Sequence, residues 1–275
     1  MLPRTRRTGE AVLSATGLRS RARARVDVRD LARPDGPPTP WTTLGELASP
    51  LDAVRLGAAL PRLAAAPRGD GHLVVDIPGW RAPELSGAPL RAYLSRLGYD
   101  ARGWGFGTNT GDPRRDVERL SARVLELVDE RGAPASLVGW SLGGVIAREV
   151  ARRHPDAVRR VVTYGTPVRG GARHTSVARA SRASVDADVD RVARRLDAAS
   201  PIRVPLTVLF SRRDGVVAWQ ACIDRATPSA EHVEVSSTHL GMGFDPDVWT
   251  VVADRLARPW ADTGPAEAPS PAAGS

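Results

Sequence analysis

Short apolar runs alternate along most of the chain with stretches whose apolar residues recur at three- and four-residue spacing. Leu73 to Ile77, Tyr99 to Trp104, Ala135 to Val138, Val161 to Tyr164, Val204 to Phe210 and His232 to Val235 read as strands, Ala135 to Val138 as a buried one. Between them, Leu90, Tyr93, Leu94 and Leu97 fall at i, i+3, i+4 and i+7, the stripe of a core-facing helix that Gly98 closes. Asp112-Pro113 starts another helix with Val117, Leu120, Val124, Leu127 and Val128 on its apolar face, and Val145 to Ala151 continues a third. Asp245-Pro246 opens a last one bearing Val248, Val251, Val252 and Leu256. Strand and helix in alternation predict an α/β fold: a mostly parallel central sheet with helices on both faces.

The pattern fails in three places. Residues 34–50 are rich in proline and turn formers and predict an irregular lead-in; beyond Pro50, Leu51, Val54, Leu56, Leu60 and Leu63 predict a short helix, interrupted by Pro61, that packs on the body. Residues 168–201 are arginine-rich and lack a strand. Val185, Val189, Val192 and Leu196 give residues 184–198 an amphipathic helical period, so the segment reads either as a lid over the strand ends or as a helix packed on the core. After Trp260 the chain is mostly Ala, Pro, Gly and Ser, the composition of a disordered tail.

The apolar run ending at Val138 leads into Gly139-Trp140-Ser141-Leu142-Gly143-Gly144 and then directly into a helical pattern. A serine between two glycines at this spacing, with a strand before and a helix after, is a nucleophile elbow. Glycines are needed because strand and helix pass too close for side chains, and the serine is left exposed at the positive end of a helix. The Leu142 amide is then aimed at an oxyanion forming beside Ser141.

A serine hydroxyl needs an adjacent base, and histidine suits the role near neutral pH. Of the five histidines, His72 lies at the wrong end of its strand, His154 at the far end of the elbow helix, His174 in the insertion, and His232 at a strand start; His239 alone directly follows a strand on the edge where Ser141 emerges. Asp214 also follows a strand on that edge. Before Gly215 it could equally be a turn aspartate, but the order Ser141, Asp214, His239 is that of a strand-end triad. The second oxyanion donor is expected after the strand at 73–77, where Gly79 permits close backbone approach and the Trp80 amide is the candidate. Gly79, Trp140 and Asn109 are the expected substrate-binding residues.

These pieces together resemble the α/β-hydrolase superfamily, near bacterial lipase and esterase-like members. The resemblance covers about residues 70–260 and rests on residues 139–144, Gly-Thr-Pro at 165–167, Ser-Arg-Arg-Asp-Gly-Val-Val at 211–217, Thr-His-Leu-Gly at 238–241 and Pro-Gly-Trp at 78–80. Val168 departs from the histidine that lipases often carry after Gly-Thr-Pro. The resemblance implies an α/β-hydrolase fold with a helical lid insertion at about 168–201, and a serine hydrolase cleaving carboxylic esters through an acyl-enzyme. The domain expectation is a basic, Pro-rich extension over 1–50, a catalytic domain over 51–260 and a disordered tail over 261–275. The same triad would also serve an acyltransferase, and the fold alone could serve a non-catalytic binding module.

Composition adds limits. The chain has 275 residues and a net charge of +8, and every basic residue is arginine. Residues 1–33 hold most of that excess, so the catalytic body is nearly neutral. The basic arm has no aromatic residue to stack on bases, so no nucleic acid is expected; weak peripheral contact with an anionic membrane is the alternative to a solvated extension. Arg6-Arg7 before Ala11-Val12-Leu13 resembles an export signal, but the apolar run is too short, and a cytoplasmic location is expected. No His, Cys or carboxylate cluster has ligand spacing, so no metal or cofactor is expected. Cys222 is the single cysteine, which excludes an intrachain disulfide. The expected partner is a small-molecule acyl ester; oligomeric state is left open.

Overall fold

A computed structural model of the chain describes Val26, Leu31 and residues 36–168, 174–176 and 200–260. Within them lies one six-stranded sheet, all parallel: β1 (Leu73–Ile77), β2 (Asp100–Gly103), β3 (Ala135–Trp140), β4 (Val158–Tyr164), β5 (Leu206–Phe210) and β6 (Glu231–Glu234), in the spatial order β2-β1-β3-β4-β5-β6. Side chains along each strand alternate between two separate cores, as a sheet covered on both faces requires. Leu73, Val75, Ile77, Leu137, Val161, Val208 and Phe210 face one; Val74, Val138, Val162, Leu209 and Val233 face the other.

Seven helices of the described residues build the layers: α1 (Pro40–Leu44), α2 (Ser49–Ala58), α3 (Leu60–Ala64), α4 (Ala88–Leu97), α5 (Pro113–Arg131), α6 (Leu142–Arg153) and α7 (Pro246–Leu256). Helices α5 and α6 cover the first face; α3, α4 and α7 cover the second. Their ends follow the sequence signals. The Asp112 side chain accepts from the Arg115 amide at the start of α5, and Gly98 turns α4 off in the left-handed conformation, φ 100°.

The lead-in differs from expectation. Pro40 occupies the first position of α1, with Thr39 capping, and a 3-10 turn over Gly45–Ala48 carries the chain into α2, so this proline-containing stretch is helical rather than irregular. The expected apolar face is only partly inward: Leu56 and Leu63 pack on the core, but Leu51, Val54 and Leu60 are exposed, whereas Asp52 is buried. The rest of the inward face is ionic. Arg55 donates to Asp52 and Asp245 and pairs with Asp247, and Arg62 reaches Asp247 as well. Pro61 sits near the start of α3, where it lacks no intrahelical bond, so the expected single helix becomes two.

Most of the 168–201 insertion, including the expected helix at 184–198, lies outside the described residues, as do nearly all of the N-terminal arm and the tail after 260. The described part, 174–176, pairs with the stretch after Asp214: Ser176 donates to the Val216 carbonyl and the Ala218 amide to that of His174. From the basic arm, the Val26 amide donates to the His232 carbonyl on the outermost strand. No helix of the described residues is long and apolar enough to cross a membrane, and no group of three or more His, Cys, Asp or Glu among them could hold a metal ion.

Candidate active site

The parallel register brings the carboxyl ends of all six strands to one edge, where the loops carrying the predicted residues gather. Ser141 stands between β3 and α6 at φ 52°, ψ −121°, and with Arg81 it is one of two non-glycine residues with positive φ among those described. Such a conformation costs about 1–3 kcal/mol and persists only where its surroundings enforce it. Here the Ser141 amide donates to the Tyr164 carbonyl at 2.9 Å and its own carbonyl accepts from the Gly144 amide. The elbow glycines fit because nothing larger could. A Cβ on Gly143 would lie 2.2 Å from the Ile77 carbonyl oxygen, and one on Gly139 would lie 2.5 Å from the Gly144 Cα. Leu142 is the first residue of α6, where helix amides point outward unpaired by the helix itself.

Asp214 and His239 are in contact. The His239 Nδ1 lies 2.8 Å from Asp214 Oδ2, and both side chains are buried. The other carboxylate oxygen of Asp214 accepts from the Val216 and Val217 amides, which fixes its orientation. The Ser211 hydroxyl donates to the Ser237 carbonyl and joins the two loops below the pair. Burial alone would push the imidazole pKa down, but the Asp214 charge and hydrogen bond, with a contribution from Glu46, raise it above the ordinary histidine value. The ring packs 5.6 Å from the indole of Trp140, the residue before the serine, and a Cβ on Gly165 would lie 2.9 Å from its Nδ1. The other histidines lie elsewhere: His72 is bonded to Asp70 and Ser136, His154 ends α6, His174 pairs with Ala218, and His232 accepts from the Asp224 amide.

The loop after β1 lies against the elbow. A Cβ on Gly79 would lie 3.1 Å from the Trp140 ring and 3.2 Å from the Ser141 Cβ, so a glycine there lets this loop pass close to the elbow. Trp80 is 43% exposed at the rim. Asn109 is not at the cleft surface. It is fully buried, its amide nitrogen donates to the Pro78 carbonyl at 2.9 Å, and its amide oxygen accepts from Gly111. Its backbone also pairs with Arg81 and Ala82, so Asn109 holds the Gly79–Trp80 turn in place. Trp104 is likewise buried, its indole spent on the Gly107 carbonyl, with Phe106 packed on it edge-on. The Trp80 ring lies instead against Arg81 and Gly111, whereas Trp140 packs by His239. A cavity of about 60 Å³ opens next to Trp140, between Pro78, Leu240 and Phe244, with Asp76 on its wall. Burial, partly offset by Arg91, pushes the Asp76 carboxyl up to about 6.

One residue at the site carried no sequence signal. Glu46, in the turn before α2, reaches the loops of both Asp214 and His239: its Oε1 accepts from the Gly215 and His239 amides and its Oε2 from that of Leu240.

A model of the alpha/beta hydrolase fold family matches residues 96–201. Among curated proteins, the pimeloyl-acyl-carrier-protein methyl ester esterase of Chromobacterium violaceum is 37% identical over 95 residues, 34% of this chain and 35% of the relative. That of Aliivibrio salmonicida is 31% identical over 111 residues, 38% of this chain and 40% of the relative. These matches thus span well under half of either curated relative. Among solved structures, the mature Bacillus licheniformis lipase BlEst2 superposes with a TM-score of 0.52 at 16% identity, covering 70% of this chain and 94% of that one. Aspergillus fumigatus lipase B gives 0.52 at 16%, covering 71% and 55%. At such identities the likeness is one of fold.

Proposed function

We propose that this chain, a member of the α/β-hydrolase superfamily, is a serine carboxylic-ester hydrolase. The observation that carries the reading is the buried Asp214–His239 hydrogen bond on the same strand-end edge as a serine held in a strained elbow, the His239 ring lying 5.6 Å from that of Trp140, the residue before it. In this reading His239 takes the Ser141 proton as the hydroxyl oxygen bonds to the acyl carbon. The Leu142 and Trp80 amides receive the oxyanion. The carbon–oxygen bond to the alcohol then breaks, and His239 returns the proton to the departing alkoxide. Water, losing a proton to His239, attacks the acyl-enzyme; collapse releases the carboxylic acid and restores the serine.

Two features support a substrate class. The small cavity beside Trp140 is walled by Pro78, Leu240 and Phe244 and suits a short apolar group. The curated relatives are named methyl ester esterases, which supports a small alcohol as leaving group. An apolar acyl group is the preferred one in this reading, on the strength of Trp140 at the cavity and the exposed Trp80 ring after β1.

The test is hydrolysis of p-nitrophenyl esters from acetate to palmitate by wild type and Ser141→Ala. Serine-dependent activity is the expected result. Folded wild-type protein inactive on every ester, or activity surviving in Ser141→Ala, would remove the reading. Rates that fell steadily from the shortest acyl chain would remove the apolar acyl preference alone.

A further inference from the structure

Glu46 contacts the site through backbone rather than through the reacting groups. Its carboxylate is half-buried in the 3-10 turn, and three amides point at it: Gly215 at 2.7 Å, His239 at 2.8 Å and Leu240 at 2.9 Å. Gly215 directly follows Asp214, so one carboxylate spans the acid loop and the base loop. Hydrogen bonds from amides to a charged acceptor are about twice as strong as neutral ones, and three converging on one group resist displacement of either loop.

The neighbouring contacts point the same way. The Thr43 hydroxyl donates to the Gly215 carbonyl at 2.9 Å, and the acid loop passes so close to the turn that a Cβ on Gly215 would lie 2.2 Å from the Thr42 carbonyl oxygen. Ser49 bonds the Thr238 hydroxyl at 2.8 Å, and Asp52 accepts from the Ser237 hydroxyl at 3.0 Å. The residues just before His239 are therefore backed by the same segment.

We propose that Glu46 is a positioning residue of the site: its carboxylate ties the Asp214 loop to the His239 loop, sets the geometry of their hydrogen bond, and adds negative charge that favours the imidazolium. This rests on the reading of Asp214 and His239 as acid and base. The charged or titratable groups around His239 are Asp214 on its own bond, Glu46 on its backbone, Asp52 with Arg55 behind Ser236–Thr238, and the Cys222 thiol near Asp214, which burial keeps protonated. Of these, Glu46 is the carboxylate that reaches both loops. A glutamine there could still accept two amides with its oxygen but would lose the charge and the Leu240 bond; an alanine loses all three.

The experiment compares wild type, Glu46→Gln, Glu46→Ala and Ser141→Ala on p-nitrophenyl butyrate across pH. In parallel the His239 imidazole is titrated by NMR, its signal assigned by its loss in His239→Gln. The expected result is a kcat about ten- to a hundredfold lower in Glu46→Ala, the scale of a misplaced catalytic group, with KM nearly unchanged. Glu46→Gln should lie between, and in both variants the His239 pKa should fall together with the acid limb of kcat/KM. A purely structural Glu46 would lower thermal stability and leave the His239 titration unmoved. An unchanged His239 pKa in Glu46→Gln, or unchanged kcat in Glu46→Ala, overturns the proposal. Loss of the ester-hydrolase reading shows separately, as wild-type inactivity or Ser141-independent turnover, while the titration still decides the role of Glu46; if Glu46→Ala does not fold, Glu46→Gln carries the test.

Discussion

The buried side chains of His239 and Asp214 share a 2.8 Å hydrogen bond, the acid's second oxygen being held by two backbone amides. With Nδ1 bonded to Asp214, the proposed base function falls to the other ring nitrogen. Asp214→Asn should keep the shape and lose the tautomer, lowering kcat about ten-thousandfold with little change in KM. Steady-state kinetics on a p-nitrophenyl ester, with circular dichroism to show an unchanged fold, checks this.

The same bond sets a pH dependence. Because the His239 pKa is raised in the folded protein, the active neutral base accumulates only above the ordinary histidine value of 6.5, and kcat/KM should climb with pH through a midpoint above that figure. Stability runs the other way. The raised pKa contributes stabilisation that is full below about 6.5 and is lost as pH rises through the folded value. Urea midpoints of wild type and His239→Gln should converge between pH 6 and pH 9.

Arg55 answers three carboxylates on the inward face of α2, two of them almost wholly shielded from solvent. Arg55→Ala strands those charges and should cost about 3 kcal/mol at pH 8. Burial has pushed the Asp245 carboxyl up to about 6 from 3.8, so its own contribution favours the fold at low pH and is lost as pH rises through 6. The penalty in Arg55→Ala should accordingly shrink at pH 5. Leu51→Ser, on the exposed face of the same helix, should change stability by no more than about 0.5 kcal/mol. Urea denaturation at both pH values separates the two.

That helix shows where pattern reading stops. Apolar-in, polar-out is the rule by which Leu51, Val54, Leu56, Leu60 and Leu63 predict a buried face; Leu56 and Leu63 follow it, but beside them the Arg55 network takes inward positions and leaves Leu51 and Val54 outside, because paired charges can occupy the inside when each meets a partner. The sheet, by contrast, was legible: its four inner strands are short runs rich in apolar residues and almost wholly buried, whereas the edge strands β2 and β6 are polar and partly exposed, and Ser141, Asp214 and His239 each stand just past a strand. Asn109 and Trp104 sit where expected along the chain, yet their side chains turn inward to satisfy loop carbonyls, a choice set by hydrogen bonds that no residue spacing encodes. Glu46 was invisible for another reason. Its partners lie 169, 193 and 194 residues away, and nothing local marks a glutamate that caps distant amides.

Asn109→Ala removes the donor to the Pro78 carbonyl inside a closed loop. An orphaned buried acceptor costs about 1–3 kcal/mol, and the Gly79–Trp80 turn loses its tether. The expected outcome is a lower melting temperature together with a several-fold fall in kcat, read by differential scanning calorimetry and ester kinetics.

Gly143→Ala tests the elbow by crowding. The added methyl meets backbone rather than a movable side chain, so relief must come from separating α6 from β1. The loss should be about 3 kcal/mol, at the upper end for overpacking, and Ser141 should lose reactivity toward a fluorophosphonate probe even where the protein remains folded.

The tie between Glu46 and the loops of Asp214 and His239 has a consequence during biosynthesis. A ribosome delivers the turn at Gly45–Ala48 long before residue 239 leaves the exit tunnel. Until then the segment has no amides to clasp and its exposed Trp41, Leu44 and Leu47 no settled neighbour. Every strand pairing in the sheet is parallel and needs a crossover, so the chain has no early hairpin to fold around. Assembly of the cleft is thus deferred until residues 239 and 240 have emerged, and a nascent polypeptide stalled before residue 239 would carry the serine elbow without the His239 and Leu240 amides that Glu46 binds.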